Sequence, residues 1–336
     1  VEAYLIARET REAERRGTMR EKNDARLRLS KHVLRNPLGD MALHVMTEMD
    51  LENWREGVSR SVASATVQRL VNDLKAALNA AATRHRAKLP AEFAVMVKAG
   101  LKAGEATAPK ARDDQALSDA EVRRILDMAR AVDADDGWDG DLFRMVVVLA
   151  ATGARFSQVA RMNVGDVQAS KGRLMVPVSM KGKGREGSSH IAVRVGDDVL
   201  SELRPALAGR RGADPLLLRW RHKQVKGDEI SPPRWVRDER GPWRSSVEIT
   251  RPWRRISDRA GLPLEVVPYA LRHSSIVRQL RLNLPVRLVA ALHDTSAAMI
   301  EAHYSAFIVD ALDALAAGAV IPLVSTTEEK VVKLRG

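Results

Sequence analysis

The sequence predicts a mainly α-helical protein with a small antiparallel β-sheet, divided into a helical domain and an α+β domain. Three observations support this fold class. The chain has 336 residues, which is long for a single hydrophobic core. Apolar residues recur at three- and four-residue intervals in several long segments, which is the period of a helix. Runs rich in β-branched residues are short and occur only in the later part of the chain.

Residues 1–100 are predicted to form the helical domain. Its clearest helix covers residues 64–84, whose apolar side chains fall on one stripe with the charged side chains outside it. A shorter helix is predicted for residues 41–54, after Pro37 and Gly39 interrupt the chain. No alternating strand pattern occurs in this part of the sequence.

Residues 101–116 are predicted to be a linker, because glycine, proline, alanine and charged residues follow one another there without an apolar period. The second domain is predicted to span residues 117–310. Its first helix is marked by a capping box, in which Ser118 and Glu121 satisfy backbone N–H groups that a helix leaves free at its start.

A β-hairpin with a basic tip is predicted inside the second domain. Residues 173–178 and 190–195 are short and β-rich, and the segment that joins them, SMKGKGREGSS, is rich in glycine, lysine and serine. The chain is then predicted to be helical from Pro268 almost to Phe307, with a new helix starting at Pro285.

Residues 201–260 combine many arginines with several tryptophans. Lysine and arginine far outnumber the acidic residues here, and Trp220, Trp235, Trp243 and Trp253 are spread through the interval. Aromatic residues interleaved with arginine suit a loop that lies against nucleic acid. They equally suit a polar insertion that tryptophans pin to the domain. The sequence leaves both interpretations open.

The charge balance points to a polyanionic partner. Lysine and arginine number 55 and aspartate and glutamate 43, which gives a formal net charge of +12. Such a surface attracts DNA phosphates, although a basic soluble protein without a nucleic-acid partner has the same composition.

Several classes of protein are excluded or disfavoured. The chain contains no cysteine, which excludes disulfide bonds, thiolate zinc sites and cysteine nucleophiles. The first residues become charged too soon for a signal peptide, and the longest apolar run, residues 145–152, is too short to span a bilayer. We therefore expect a soluble protein of the cytoplasm with no membrane partner.

Three short motifs occur in order along the second domain. The sequence T-G-A-R ends at Arg155, L-R-H contains Arg272, and a later helix ends near Tyr304. The lysine-rich hairpin lies between the two arginines. Each motif alone occurs by chance, but in this order and context the chain resembles the tyrosine recombinase (phage integrase) family.

The resemblance covers nearly the whole chain and implies the architecture of that family. Residues 1–100 resemble its helical, SAM-like core-binding domain, and residues 117–310 resemble its α+β catalytic domain. The final segment, residues 311–336, is implied to dock on a neighbouring subunit. A helix folded back on its own domain, or a disordered tail, are the alternatives for that segment.

The resemblance also implies roles for two arginines and a tyrosine. Arg155 and Arg272 are implied to bind the non-bridging oxygens of a DNA phosphodiester, because a planar guanidinium contacts two oxygens at once and stabilises developing negative charge. Tyr304 is implied to form a 3′-phosphotyrosyl link and release a 5′-hydroxyl, without ATP, a metal or another cofactor. By residue type alone, surface or ion-paired arginines and an amphipathic tyrosine at a helix end explain the same positions.

A lysine at the hairpin tip is the implied general acid, which protonates the leaving 5′-oxygen. Lys181 and Lys183 both fall at the expected tip, and Lys181 is slightly preferred because it is nearer the preceding strand. The alternative for either lysine is a contact with phosphate only. The sequence does not decide between the two.

Two positions depart from the pattern of the family. Tyr269 stands three residues before the second arginine, where the family usually has histidine or lysine. A phenol there can hydrogen-bond to phosphate but is a poor base near neutral pH. Thr295 stands nine residues before the nucleophile, where histidine or tryptophan is usual. We predict that Thr295 fills this position, with His293 as the alternative, and that His273 packs or positions its neighbours rather than catalyses.

The implied function is site-specific recombination, for integration or excision of a mobile element. The implied partners are double-stranded DNA with specific recombination sites, further copies of the chain in a tetramer on two sites, and accessory proteins for DNA bending or directionality. The implied location is the bacterial nucleoid. Three alternatives remain: a catalytically inactive DNA-binding regulator on the same scaffold, a type IB topoisomerase, and an unrelated basic helical protein that binds RNA.

Overall fold

The computed structural model describes residues 1–16, 24–102, 115–179, 189–227 and 232–318. Within them the chain is mainly helical, with one three-stranded and one two-stranded antiparallel sheet, so the predicted fold class is confirmed. No described helix has the length and apolar composition that a bilayer crossing requires. The backbone forms two compact units, Val1–Ala108 and Pro109–Gly336.

All regular secondary structure in the described residues of the first unit is helical. Its α-helices are α1 (Glu2–Arg16), α2 (Asp24–Leu29), α3 (Pro37–Asp40), α4 (Glu48–Ser59), α5 (Ser64–Arg84) and α6 (Phe93–Gly100). The helix predicted for residues 64–84 is confirmed as α5. Its apolar stripe packs in one core with Leu5, Leu51 and Leu101, all completely buried.

The helix predicted for residues 41–54 starts later than expected, at Glu48. Thr47 and Asp50 form a capping box there, in which each side chain bonds to the backbone N–H of the other. This arrangement satisfies N–H groups that the first turn leaves free, and it therefore sets the start of α4.

The second unit combines helices with both sheets. Its α-helices are α7 (Asp119–Asp135), α8 (Asp141–Thr152), α9 (Phe156–Val159), α10 (Asp197–Leu207), α11 (Val247–Arg259), α12 (Ala270–Arg281), α13 (Val286–Leu292) and α14 (Ala297–Gly318). Its strands are β1 (Val167–Gln168), β2 (Arg173–Pro177), β3 (His190–Arg194), β4 (Leu218–Val225) and β5 (Arg234–Pro242). The predicted capping box of Ser118 and Glu121 starts α7.

Helix α8 is the centre of the second unit. Leu142, Met145, Val146 and Val148 are completely buried on different sides of the helix. An apolar sequence on all faces is typical of a helix that packs on every side. The last residue of α8, Thr152, is thereby held in the interior, where the T-G-A-R motif begins.

The predicted hairpin of β2 and β3 is confirmed by its strands. They pair antiparallel, with Arg173 opposite Arg194 at one end, and β1 pairs with the other edge of β2. The predicted tip, which carries Lys181 and Lys183, lies outside the described residues.

Residues 201–260 contain a second hairpin that was not predicted. Strands β4 and β5 pair antiparallel, with an irregularity between Trp220 and His222. Charged side chains occupy both faces of these strands, so the alternating apolar pattern that identifies a half-buried strand is missing from the sequence.

Polar contacts fasten this β4–β5 hairpin to the unit. The indole nitrogen of Trp220 donates to the carboxylate of Asp139 at 2.8 Å, and Arg237 donates to the same carboxylate at 3.0 Å. Arg240 pairs with the buried Asp141 at 2.6 Å. Of the two interpretations of this interval, the described residues support a polar insertion pinned to its domain.

Candidate active site

Arg272 is a buried cation whose hydrogen bonds go to neutral groups. It lies in the first turn of α12 and is 3% exposed. Its Nη1 donates to the carbonyl oxygen of Gly153 at 3.0 Å, and its Nη2 donates to that of His293. Burial lowers the pKa of Arg272, and no carboxylate of the described residues forms an ion pair with it. A guanidinium held only by carbonyls keeps its positive charge available for an anionic ligand.

Gly153 lets α8 approach α12 and α13 closely. It ends α8 in the left-handed conformation, with a φ of 60°, which glycine adopts without a steric penalty. A Cβ at this position would lie 2.7 Å from both the His293 Nε2 and the Ser275 hydroxyl. The glycine of the T-G-A-R motif is therefore required by its backbone conformation and by the space around it.

Arg155 brings a second guanidinium to the same turn. Its Nη1 donates to the backbone oxygen of Asp294 at 3.1 Å and lies 3.5 Å from the carboxylate Oδ2 of that residue. The two arginines thus bind the consecutive carbonyls of His293 and Asp294, and the charge of Arg155 adds to the effect of burial on the pKa of Arg272. The Arg155 side chain is 25% exposed, so this pair of cations is open to solvent on the Arg155 side.

Asp294 connects this turn to the strand that leads into the predicted basic tip. Its Oδ2 accepts from the backbone N–H of Ser179 at 2.7 Å and from the side-chain amide of Gln158 at 3.3 Å. Its φ of 49° lies in the left-handed region, which aspartate tolerates better than most residues. Asp294 therefore holds Ser179, the residue that directly precedes the segment with both candidate lysines, in the same cluster as Arg155.

Tyr304 is buried near Arg272 and contacts His273. It is 6% exposed, and its Oη lies 2.5 Å from the His273 Nδ1. Its φ of −130° and ψ of 19° interrupt the regular geometry of α14, so the tyrosine lies at a kink. Burial, followed by the charge of Tyr269, raises the pKa of Tyr304 to about 12, and Arg272 opposes this rise. The phenol is therefore protonated at neutral pH.

His273 is uncharged at neutral pH and touches the phenol directly. Burial, followed by the charges of Arg272 and His303, lowers its pKa from 6.5 to about 4. A neutral imidazole has one nitrogen that accepts a hydrogen bond, so the contact with Tyr304 joins two uncharged groups. The sequence assigned His273 to packing or to positioning its neighbours, and the structure places it against the predicted nucleophile.

Tyr269 lies on the exposed side of the cluster. It is 43% exposed and immediately precedes α12. Its ring centroid is 5.0 Å from that of His273, edge to face, and 5.9 Å from the Cζ of Arg272. The structure therefore places Tyr269, one of the two residues that depart from the family pattern, beside the second arginine.

His293 is bonded inward and reaches Arg272 only through its backbone. It is 1% exposed, and its Nδ1 donates to the carbonyl of Val289 at 2.9 Å. Its Nε2 is then the acceptor for the hydroxyl of Ser275, at 3.0 Å. Burial is the largest cause that lowers the pKa of His293 to about 4. Because both ring nitrogens are bonded inside the unit, the ring is not presented to a ligand.

Among the described residues, the side chain of Thr295 forms no hydrogen bond with the arginines or with Tyr304. The backbone N–H of Thr295 donates to Ala290 O at 2.9 Å, and within the described structure its hydroxyl forms no hydrogen bond. Lys181 and Lys183 lie outside the described residues.

Sequence reasoning missed Asp294 and Gln158. Asp294 stands between the two residues considered for one position and lay inside a segment predicted to be helical; its residue type was the one signal, because aspartate is favoured in turns. Gln158 carried no signal, since glutamine is common on any helix and only the fold brings its amide to Asp294.

The cluster of Arg155, Arg272, His273, Asp294 and Tyr304 is called the tyrosine centre here. It combines two guanidinium groups, which bind the carbonyls of the turn at residues 293 and 294, with a protonated phenol that contacts His273, the neighbour of Arg272. Guanidinium groups of this kind suit the oxygens of a phosphate or phosphodiester. A phenol is a residue type that can attack phosphorus.

The sequence matches no family model and no curated protein. Among solved structures, the chain is similar to the Tn1549 transposon integrase in complex with a circular intermediate DNA, with a TM-score of 0.60, 14% identity and coverage of 93% of this chain and 98% of that chain. It is also similar to a lambda integrase dimer bound to a core site, with a TM-score of 0.55, 17% identity and coverage of 89% and 96%. A lambda integrase tetramer bound to a Holliday junction gives a TM-score of 0.55, 16% identity and coverage of 88% and 74%.

At these identities the likeness concerns the fold. The chain has the fold of tyrosine recombinases, and the resemblance drawn from its motifs is confirmed at that level.

Proposed function

We propose that the chain is a site-specific DNA recombinase of the tyrosine recombinase family, which cleaves and rejoins DNA through a 3′-phosphotyrosyl link to Tyr304. One observation carries the proposal. Arg272 is a buried cation bonded to carbonyls, and it lies within electrostatic reach of both Arg155 and Tyr304. A buried charge without a counter-charge is costly, and a bound phosphodiester would remove that cost.

The two arginines stabilise the charge that develops when a phosphodiester is attacked. The non-bridging oxygens gain negative charge as phosphorus becomes five-coordinate, and donors already fixed in place need no reorganisation at that moment. Arg272 is fixed by Gly153 and His293, and Arg155 is fixed by Asp294. Both guanidinium groups retain further N–H donors for the phosphate.

The remaining predicted site residues have supporting roles in this proposal. Tyr269, exposed beside Arg272, donates its phenol proton to a non-bridging oxygen in a hydrogen bond. Thr295 donates its hydroxyl to the same phosphate. His293 acts through its carbonyl as a positioning residue for Arg272. Lys181 or Lys183 protonates the leaving 5′-oxygen, a role supported by the bond that holds Ser179, just before their segment, to Asp294.

The proposed biological role is integration or excision of a mobile element at specific sites in double-stranded DNA. Structures with this fold include a transposon integrase in complex with a circular intermediate DNA and a lambda integrase tetramer bound to a Holliday junction. By analogy, four copies of this chain act on two sites, with accessory proteins for bending or directionality, in the bacterial nucleoid. Residues 1–100 bind the core site, residues 101–116 link the domains, and residues 117–310 carry the chemistry.

The final segment, residues 311–336, is proposed to dock on a neighbouring copy. The backbone of α14 is described as far as Gly318, and the remainder lies outside the described residues. A chain ending at residue 310 should still bind one DNA site but lose the larger assembly in sizing experiments with two-site DNA. Assembly that survives this truncation would contradict docking by that segment.

The covalent link is the decisive test of the function. The protein is incubated with nicked duplexes of random core sequence, from which cleavage releases a short strand and traps the enzyme. Protein-linked DNA that resists SDS is then isolated and sequenced. Wild type should give an adduct with a preferred sequence, and Tyr304→Phe should give none. The matched control Tyr4→Phe changes a tyrosine of the first unit and should leave the adduct unchanged.

The outcomes separate the alternative functions. Salt-sensitive DNA binding without an adduct would favour the inactive regulator. An adduct without sequence preference, accompanied by relaxation of supercoiled plasmid, would favour the topoisomerase. An adduct that persists in Tyr304→Phe would exclude this tyrosine as the nucleophile.

A further inference from the structure

The contact between α12 and α14 joins a nucleophile to a second reactive side chain. His273, the neighbour of Arg272 in α12, has its Nδ1 at 2.5 Å from the Oη of Tyr304, and the ring centroids are 5.7 Å apart. Tyr304 lies at the kink in α14, so a local change of backbone direction accompanies this approach.

The direction of this hydrogen bond follows from the chemistry of the two groups. The phenol carries its proton because the pKa of Tyr304 is raised, and the imidazole carries only one proton because the pKa of His273 is lowered. Of two neutral partners, a phenol is the stronger acid and an imidazole nitrogen the stronger base. The phenol therefore donates and Nδ1 accepts, which leaves the remaining proton of the imidazole on Nε2.

Neighbouring groups are less suited to take the proton from the phenol. Tyr269 occupies the position where a histidine or lysine was expected, and its phenol is a poor base. Both ring nitrogens of His293 are bonded inside the unit. The carboxylate of Asp294 accepts from Ser179 and Gln158 and lies beside Arg155.

We infer that His273 is the general base of strand cleavage, a catalytic residue that receives the phenol proton of Tyr304 at Nδ1. This inference rests on the proposed function. As the Tyr304 Oη forms its bond to phosphorus, the O–H bond breaks and the proton moves to Nδ1. The bond from phosphorus to the 5′-oxygen breaks, and the proposed lysine protonates that oxygen. In religation the 5′-hydroxyl attacks phosphorus and both protons return.

The surroundings of His273 link its basicity to bound DNA. Tyr269 and Arg272 face it from α12, and Tyr304 and His303 face it from α14. The charge of Arg272 disfavours a protonated imidazole in the free protein. A phosphodiester bound to Arg272 offsets that charge and adds negative charge nearby, so the imidazole becomes a stronger base only when the substrate is present.

The test measures the rate of adduct formation in a single turnover on the nicked substrate. The variant His273→Asn keeps an oxygen acceptor near the position of Nδ1 but cannot take the proton, and His273→Phe keeps a ring of similar size without an acceptor. Both should lose about 100-fold or more of the rate at neutral pH. The matched control His222→Asn, an exposed histidine of the β4–β5 hairpin, should retain the wild-type rate.

The pH profile separates a proton acceptor from a packing residue. The wild-type rate should become independent of pH once the pH exceeds the pKa of His273 in the DNA complex, because the imidazole is then neutral. The rate of His273→Asn should rise about tenfold per pH unit, because the phenol must then ionise before it attacks. A lost packing contact would lower the rate equally at every pH.

A tyrosine analogue supplies an independent readout. Fluorinated tyrosine at position 304 has a more acidic phenol, and it should restore much of the rate of His273→Asn while changing wild type little. A pH-independent loss without such rescue, or a wild-type rate in both variants, would overturn the inference while wild type still forms the adduct. Absence of any adduct from wild type would instead refute the proposed function on which the inference depends.

Discussion

Two regions of the second unit are rich in arginine: the tyrosine centre and the β4–β5 hairpin. The arginines of the two regions have different bonding partners. In the hairpin the cations meet carboxylates. Arg237 lies 3.0 Å from Asp139, and Arg240 lies 2.6 Å from the buried carboxylate of Asp141. In the tyrosine centre Arg155 lies 3.5 Å from the carboxylate of Asp294, but the hydrogen bonds of Arg272 go to the carbonyl oxygens of Gly153 and His293 and no described carboxylate pairs with it.

This difference shows why the abundance of arginine does not by itself identify an anion site. A guanidinium paired with a carboxylate has its charge neutralised and holds two segments together. A guanidinium held by carbonyls is oriented but remains a net cation, ready for phosphate. Both regions stood out in the sequence because they are rich in basic residues. Only the bonding partners of those residues show which arginines hold the fold together and which remain available for an anion.

The largest expected effect is that of Arg272→Ala on cleavage. The change removes a fixed cation from the developing charge and should lower the single-turnover rate by about 100-fold or more, equivalent to about 3 kcal/mol of the barrier. Arg272→Lys should recover little, because one ammonium cannot bond to both carbonyls and a phosphate together. A rate close to wild type in both variants would mean that Arg272, like the hairpin arginines, holds the fold together and does not take part in cleavage.

The second largest effect is a dependence of stability on pH, which arises from His273 in the tyrosine centre and from the nearby His293. Burial lowers the pKa of His273 and of His293 from 6.5 to about 4. The unfolded chain therefore binds more protons than the folded chain between these values, and stability falls as the pH is lowered through that window. Once the pH has fallen through this window, the buried His293 should have lowered the free energy of unfolding by an amount on the order of 3 kcal/mol.

Urea unfolding between neutral pH and about pH 4.5 checks this expectation, together with the histidine proton resonances, which should begin to shift only near the lower end. The hairpin responds in a different range. The hydrogen bond from Trp220, followed by the charge of Arg237, lowers the pKa of Asp139, so its contribution is lost only as the pH falls below the ordinary value of 3.8. Histidine resonances that shift near the ordinary pKa would show that these rings are not buried.

Arg240→Ala should affect stability and leave the chemistry intact. The change leaves the carboxylate of Asp141, whose side chain is 4% exposed, without its closest cation, although Arg144 remains 3.4 Å away. Because Arg240 itself is partly exposed, we expect a loss of about 1 to 3 kcal/mol in the free energy of unfolding. Tryptophan fluorescence during urea unfolding reports the change. A cleavage rate that falls with full stability would assign the hairpin to the DNA interface instead.

The smallest effect is expected for Lys223→Ala. Lys223 lies 2.8 Å from Asp238, and the two side chains are 62% and 41% exposed. Solvent screens such a pair, so the free energy of unfolding should change by less than about 0.5 kcal/mol. A larger loss, measured in the same urea experiment, would mean that this end of the hairpin contributes more to stability than its exposure indicates.

Local interactions explain why much of the fold was predictable. The apolar stripe of α5, the capping box that starts α7 and the β-rich runs of β2 and β3 are patterns within one element or between neighbours in sequence. The β4–β5 hairpin was missed because its stability depends on carboxylates about a hundred residues away, Asp139 and Asp141, and its own residues carry no apolar alternation.

The order of the motifs also singled out Arg155, Arg272 and Tyr304, because the chemistry of a phosphodiester calls for those residue types. Sequence spacing could not assign a contact to His273, nor choose between His293, Asp294 and Thr295. Those assignments depend on the kink at Tyr304, on the left-handed turn at Asp294 and on the burial of α12.

The sequence by itself determined the helical and strand segments, the basic character and the reactive residue types, because these follow from composition and short-range periodicity. Only the tertiary structure decided which cations keep an uncompensated charge and which nitrogen meets the phenol. Those properties arise from distances between residues far apart in the chain, and burial sets the pKa values on which the proposed chemistry depends.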